Sequence, residues 1–355
     1  EFFNKTIKSK YLDSRINNTY VNTSNKENYI FNSKINGIED SDLILLIGTN
    51  PRFEATILNL RIRKSYLKNN LEIYSIGDVG DLTYPYEIVP NETKIIKDII
   101  EGKHLLSSKI SNSKKPIIII GHSVLNLKSG KYVFEEMKKY LTSINKINDN
   151  WNSLNILSKD ASTVGSYDLN VINSTDSQNI TLTKTLNNEF EILFLIGQDT
   201  LKFKKKNEFV IYVGSHGDSG AESANIILPG STYTEQDGYF TNLEGKIQKA
   251  FKASYPPGEA KEDWQIINEL AEFMNNRKLF NDKDELESSM FNFISLQQEN
   301  KKEIEKIIPK ENFKDERLII ENKNYYFSNV IARSSKTMLD CHNSKIEVKK
   351  TGTEG

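Results

Sequence analysis

Several places in this chain carry residue types and spacings that chemistry could use. Gly48-Thr49-Asn50-Pro51 stands where an apolar run gives way to a helical pattern. α/β proteins bind phosphates at that position, using free N–H groups and the helix dipole. Pro51 removes one donor, and neither GxGxxG nor GxxxxGKS occurs, so a plain structural turn competes with an anion site. Gly121-His122-Ser123-Val124-Leu125 has the outline of a nucleophile elbow, with Leu125 in place of the last Gly. His216 and Asp218 complete a triad only on paper, because they are two residues apart and out of the Ser–acid–His order. The plainer reading of the elbow is a Gly-rich turn after a buried strand.

His216-Gly217-Asp218-Ser219-Gly220 follows another apolar run, but His104, His122 and His342 are scattered and no ligand spacing emerges. No metal site is expected. Lys202, Lys204, Lys205 and Lys206 surround Phe203. Without a wider basic field the cluster reads as a solvated loop, its functional alternative being contact with an acidic neighbouring subunit. The densest signal is residues 224–258, where Leu228-Pro229-Gly230 leads through Glu235 and Gly238 into Thr241-Asn242-Leu243-Glu244-Gly245-Lys246-Ile247-Gln248. A Pro-Pro-Gly turn and a helix with Trp264, Ile267 and Ala271 on one face follow. So many turn residues imply a long ordered loop, and such loops usually serve function.

The elements that must position these residues are short apolar runs ending in Gly: 42–48, 116–121, 191–197, 209–214 and, more weakly, 71–77. Strands apolar at every position are buried on both faces, as in a parallel sheet covered by helices. Helical patterns fall between them, at 52–68, 93–101, 131–143 and 262–275. In the first of these, Asn50 is the N-cap, Pro51 the first helical residue, and Phe53, Ile57 and Leu60 share a face. The fold class is therefore α/β, with parallel sheets covered by helices. A first α/β unit is expected over 1–145. A second is expected over 146–280, with its loop at 228–258 and a helix around 151–158. A charged helical or extended tail is expected over 281–355. In that tail Met290, Phe291, Phe293, Ile294 and Leu296 suggest one helix, 299–308 another, and 345–355 disorder.

Composition narrows the function. The charges nearly cancel, 47 Lys+Arg against 48 Asp+Glu, which argues against nucleic acid as partner. A mean hydropathy of -0.53 and strand-sized apolar runs leave no direct membrane span. The single cysteine, Cys341, excludes a disulfide framework, a multi-cysteine zinc site and an iron–sulfur cluster held by this chain alone.

The run 228–248, LPGSTYTEQDGYFTNLEGKIQ, is similar to the signature loop of the molybdopterin oxidoreductase superfamily. Lys246 stands where cofactor-binding members tend to keep Arg. Gly48-Thr49-Asn50-Pro51-Arg52-Phe53-Glu54-Ala55, Arg61-Ile62-Arg63-Lys64, Asp81-Leu82-Thr83-Tyr84, Glu262-Asp263-Trp264 and Ala332-Arg333-Ser334-Ser335-Lys336-Thr337-Met338 resemble one branch. That branch comprises the large iron–sulfur subunits of respiratory complex I. The likeness runs in order from about residue 24 to 342, without the cysteine-rich region that opens the family's subunit.

The resemblance implies a non-catalytic carboxyl-terminal half that supports NADH-to-ubiquinone electron transfer carried by other chains. It would hold no cofactor, its iron–sulfur clusters lying in a partner half, either a separate chain or a missing segment, with Glu1 as a boundary inside a larger subunit. Other peripheral-arm subunits would be its partners, on the matrix side of the mitochondrial inner membrane. Gly48, Thr49, Asn50, Glu244 and Gly245 would be vestigial pterin-site positions, with no catalytic residue. Tyr325-Tyr326-Phe327 would serve as interface anchors or as buried structure. A working molybdopterin oxidoreductase and, more remotely, a serine hydrolase using Ser123 are the alternatives.

Overall fold

In a computed structural model of the chain, residues 1–172, 179–300, 313–321 and 324–351 are described. The chain divides into two compact units. The first takes Glu1–Thr183, Gly238–Ala250 and Lys278–Glu321, and the second Lys184–Asp237, Phe251–Arg277 and Asn322–Gly355.

The first unit is built on strands β1 (Leu43–Ile47), β2 (Glu72–Ile76), β3 (Glu87–Val89) and β4 (Pro116–Gly121), a short antiparallel hairpin of β5 (Ile147–Asn148) and β6 (Trp151–Asn152), and β7 (Leu154–Leu157). Apart from the hairpin these form one parallel sheet in the order β3-β2-β1-β4-β7. The helices between them are α1 (Pro51–Glu54), α2 (Thr56–Lys68), α3 (Thr93–Ile100), α4 (Leu105–Asn112), α5 (His122–Leu125), α6 (Gly130–Ser143) and α7 (Thr163–Asp168).

Every residue of β1 and β4 is buried, as their unbroken apolar sequence requires. Leu43, Leu45 and Ile47 pack with Ile96, Ile99, Ile110, Phe134 and Met137 of α3, α4 and α6. Ile44 and Leu46 pack on the other face with Leu58 and Ile62 of α2. Each fully buried Leu or Ile contributes roughly 1.5–3 kcal/mol, so these two central strands anchor the unit.

Three expectations change here. Residues 151–158 are strand, not helix: β7 adds an edge to the sheet by pairing with β4. Residues 146–183 consequently belong with the first unit, and the boundary at 145 falls inside it. The helical stretch 52–68 breaks at Ala55, whose φ of -150° and ψ of 71° are not helical. Its buried face is Leu58, Asn59, Ile62 and Ser65, whereas Phe53, Ile57 and Leu60 face solvent.

The helix α8 (Ile180–Leu186) precedes the three-stranded parallel sheet of the second unit, formed by β8 (Ile192–Ile196), β9 (Phe209–Gly214) and β10 (Ile226–Pro229) in the order β10-β9-β8. Leu195, Val210 and Tyr212 form its core with Leu201 and Phe203 of the β8–β9 loop and Ala221 of α9 (Ser219–Ser223). Among the described residues this sheet is covered unevenly: Leu195, Val210, Tyr212 and Val213 are buried, whereas several of its other apolar residues are not. Strands laid down in sequential order place their right-handed crossovers on the same side. On the opposite side Val213 is buried, but Ile192 at 57%, Phe209 at 41% and Ile226 at 44% are exposed, so burial on both faces does not hold for 191–197.

Residues 238–250 return to the first unit as an antiparallel hairpin of β11 (Gly238–Thr241) and β12 (Ile247–Ala250). The helix α10 (Asp263–Asn275) of the second unit begins with a capping box between Glu262 and Gln265. Its fully buried side chains are Ile266, Asn268 and Ala271, with Trp264 and Ile267 half-buried. Met290 to Leu296 lie in α11 (Lys283–Asn300), and most of the helix expected at 299–308 falls outside the described residues. A helix over Lys336–Thr351 occupies much of the stretch read as disordered, continuing the helix that starts at Lys336.

Candidate functional site

The strand order reverses between β1 and β4, which makes the carboxyl ends of those two strands the topological switch point where α/β sheets bind ligands. Gly48 and Gly121 occupy it. Gly48 takes a φ of +64° so that the chain can turn, and a Cβ there would lie 2.7 Å from the Val124 nitrogen. A Cβ on Gly121 would lie 2.3 Å from the Gly48 carbonyl oxygen and 2.6 Å from the Thr49 Cβ. The two turns thus pack directly on each other.

Thr49 and Asn50 are buried, at 0% and 1% exposure. Glu54, one turn further on, folds back over them. Its carboxylate accepts from the Thr49 hydroxyl at 2.8 Å and from the Asn50 N–H at 3.1 Å. The Asn50 side chain is also committed, donating to the Val79 carbonyl at 2.8 Å and accepting from the Arg52 N–H at 3.1 Å. Arg52 reaches outward to Asp81, 2.6 Å from its carboxylate. Burial pushes the Glu54 carboxyl above the usual carboxylate range, opposed by the Asn50 and Thr49 donors and by the Lys159 charge. The protein therefore supplies its own carboxyl group at the turn.

Glu244 and Gly245 serve a different purpose. They form the tip of the β11–β12 hairpin, which Asn242 brackets by accepting from the Glu244 and Lys246 N–H groups. Gly245 has a φ of +79°, and a Cβ there would meet Lys26. Glu244 accepts from the Ile35 N–H at 2.6 Å, and the Leu243 carbonyl accepts from the Phe31 N–H at 2.7 Å. The densest motif of the sequence thus ties the hairpin to the segment that precedes β1.

A cavity of about 340 Å³ opens beside Glu54 within the first unit, lined also by 158–164, 240–243 and Gln248. Lys159 gives it a cation and Asp160 a second carboxyl group beside that of Glu54, and the buried Ser158 hydroxyl on its wall has no hydrogen-bond partner among the described residues. Gly48, Thr49, Asn50, Glu244 and Gly245 do not line it. Sequence reasoning passed over Glu54 because a carboxylate four residues after an N-cap reads as a solvated helix residue. The available signal was its proximity to the two unpaired donors of the preceding turn.

Each member of the paper triad is engaged with other groups. The Ser123 hydroxyl accepts from the Glu321 N–H, His216 Nδ1 meets Ser215, and Asp218 caps α9 while receiving Arg333 at 2.9 Å. Arg333 also reaches Asp199 at 3.3 Å, giving the carboxyl-terminal motif a structural task within the second unit. Of the basic cluster, Lys205 donates to the Ser223 carbonyl at 2.8 Å and so clips α9 in place. Tyr325 is 75% exposed, whereas Phe327 packs against His342 with ring centroids 4.8 Å apart and the rings tilted by 59°. Among the described residues no three His, Cys, Asp or Glu side chains are grouped to hold a metal ion. Among them also, no helix is long and apolar enough to cross a membrane.

Comparison with known proteins gives a consistent picture. Over 369 residues the chain is 38% identical to the NADH-ubiquinone oxidoreductase 75 kDa subunit of Reclinomonas americana, covering 96% of this chain and 52% of that protein. It is 36% identical over 335 residues to the mitochondrial NADH-ubiquinone oxidoreductase 78 kDa subunit of Candida albicans, covering 89% and 45%. Against the mitochondrial 78 kDa subunit of Neurospora crassa it is 35% identical over 336 residues, covering 90% and 44%. The chain spans about half the length of the curated relatives it matches. Residues 285–341 match the family model for the C-terminal part of the NADH-ubiquinone oxidoreductase G subunit. Residues 1–273, well over half of the chain, match the model described as Molybdopterin oxidoreductase, and the chain belongs to that family.

Proposed function

We propose that this chain is a structural, non-catalytic part of the peripheral arm of mitochondrial complex I, the NADH:ubiquinone oxidoreductase. The relatives supply the assembly, and the Glu54 turn supplies the reason for assigning no chemistry to this portion. The residues there do not fit the anionic group of a pterin cofactor. Glu54 already engages the Thr49 hydroxyl and the Asn50 N–H. A second anion beside that carboxyl group would meet repulsion instead of donors. Glu244 and Gly245 are spent on the hairpin tip, which supports the same reading.

On this reading the chain carries no cofactor, and the clusters that move electrons lie in the polypeptide corresponding to the other half of its relatives. Its work is to hold that half and the neighbouring peripheral-arm subunits in place on the matrix side of the inner membrane. The test is a native gel of solubilised mitochondria. The chain is expected to migrate with NADH-dehydrogenase activity, and the band to lack stoichiometric molybdenum. Migration as a free monomer overturns the assembly. Stoichiometric molybdenum bound to the purified chain overturns the non-catalytic role.

A further inference from the structure

Helix α2 carries two apolar stripes. Leu58, Ile62 and Ser65 face the core of the first unit. On nearly the opposite side, at 100° per residue, lie Ile57, Leu60 and Leu67, exposed by 69%, 50% and 70%. The spacing 57–60–64–67 is that of the a and d positions of a helix seam. Lys64 fills the third place, its ammonium drawn aside to Glu39 at 3.0 Å.

The borders of the stripe are basic. Arg63 flanks it on one side, and Arg61 and Lys68 on the other. No carboxylate lies on the exposed face of α2, and Glu39 and Asp81 beside it are paired with Arg61, Lys64 and Arg52. An apolar seam flanked by cations on both sides is complementary to a helix whose own seam is flanked by carboxylates.

We propose that the exposed face of α2 is the docking surface for an acidic amphipathic helix of a partner protein. The eleven residues from Ile57 to Leu67, ten helical rises, span about 15 Å of helix axis, so the partner helix needs about two heptads. Three apolar side chains on a helix already fixed in a folded domain make a poor anchor for a bilayer, which favours protein over membrane. This surface does not depend on the identity of the assembly.

The experiment uses the full chain in its native assembly. A photo-crosslinking amino acid is placed at Ile57, Leu60 or Leu67 in turn, and the adduct peptides are sequenced. Adducts to a segment with apolar residues at a/d spacing and flanking Asp or Glu support the proposal. Adducts to lipid, to a second copy of this chain, or to a segment without that pattern overturn it, as does the absence of adducts at all three positions.

Charge reversal, Arg63→Glu with Lys68→Glu, is expected to lower the assembled fraction at least tenfold at low salt. The isolated variant should keep the unfolding midpoint of the parent, since both side chains are exposed. Sedimentation with vesicles of phosphatidylserine and phosphatidylcholine tests the membrane alternative, and binding that the same reversal abolishes would refute the protein partner. If the chain migrates with the dehydrogenase and the reversal leaves migration unchanged, this surface is wrong while the assembly reading stands.

Discussion

Replacing Glu54 tests the account of the turn most directly. Glu54→Ala removes the acceptor for two buried donors, the Thr49 hydroxyl and the Asn50 N–H. Each donor left unpaired costs about 1–3 kcal/mol. Releasing the buried carboxyl from its desolvation penalty returns part of that, so a net loss of about 2–4 kcal/mol is expected. Glu54→Gln keeps an acceptor for Asn50 and can donate to Thr49, so it should fall within about 1 kcal/mol of the parent.

The chain has two tryptophans, Trp151 in the first unit and Trp264 in the second. A Trp264→Phe background therefore makes fluorescence-detected urea unfolding report the first unit alone. pH supplies a second arm. The Glu54 carboxyl is held above its usual range in the folded state, so the folded chain binds that proton more tightly. Stability relative to Glu54→Gln should therefore rise as pH falls through the carboxylate range and decline toward neutrality. An Ala variant within 0.5 kcal/mol of the parent, roughly the spread of ordinary surface substitutions, would refute the reasoning.

Three further outcomes follow from the geometry. Gly121→Ala drives a methyl into the Gly48 carbonyl and should cost about 3 kcal/mol or prevent folding, read by the same Trp151 transition. Glu262→Ala breaks the capping box of α10 and the bond from the Trp264 indole at 3.0 Å. It should cost about 1–2 kcal/mol and shift Trp264 emission to the red. Burial pushes the His122 imidazole down to about 4, against a pull upward from Asp160. A depressed histidine stabilises above its unfolded value and loses that contribution as pH falls from about 6.5 toward 4. His122→Gln should flatten that loss, roughly 1–3 kcal/mol, in an acid titration of unfolding free energy.

The strands that proved legible were those whose burial demands nothing but apolar residues. β1 and β4 lie between two layers of helices, and their sequences state as much. β7 was hidden because Asn155 sits in its middle, fully buried. It is tolerated there because its side-chain oxygen accepts from the Ser33 N–H at 2.8 Å and its amide donates to the Ser33 hydroxyl at 2.9 Å. That partner lies more than a hundred residues away, beyond any local pattern.

The helix at 56–68 misled for the opposite reason, since two apolar stripes on one helix cannot be ranked by spacing. Apolar runs in β8 and β10 likewise report hydrophobicity but not coverage, which the order of the strands decides. The site positions Gly48, Thr49 and Asn50 were found where the strand-to-helix turn placed them. What they do there depended on Glu54, whose side chain folds back against the direction of the chain.

The edge strand of the second unit's sheet has a consequence for the cell. β8 pairs with β9 on one side, and among the described residues its other edge meets no strand. An edge strand beside exposed apolar residues such as Ile192 and Phe209 is a template on which further strands add. On the assembly proposed above, copies made in excess of their partners would pair edge to edge. The safe abundance of this chain is then set by the rate at which that edge is covered. Holding chaperones or rapid proteolysis of unassembled copies would be needed wherever its synthesis outruns assembly.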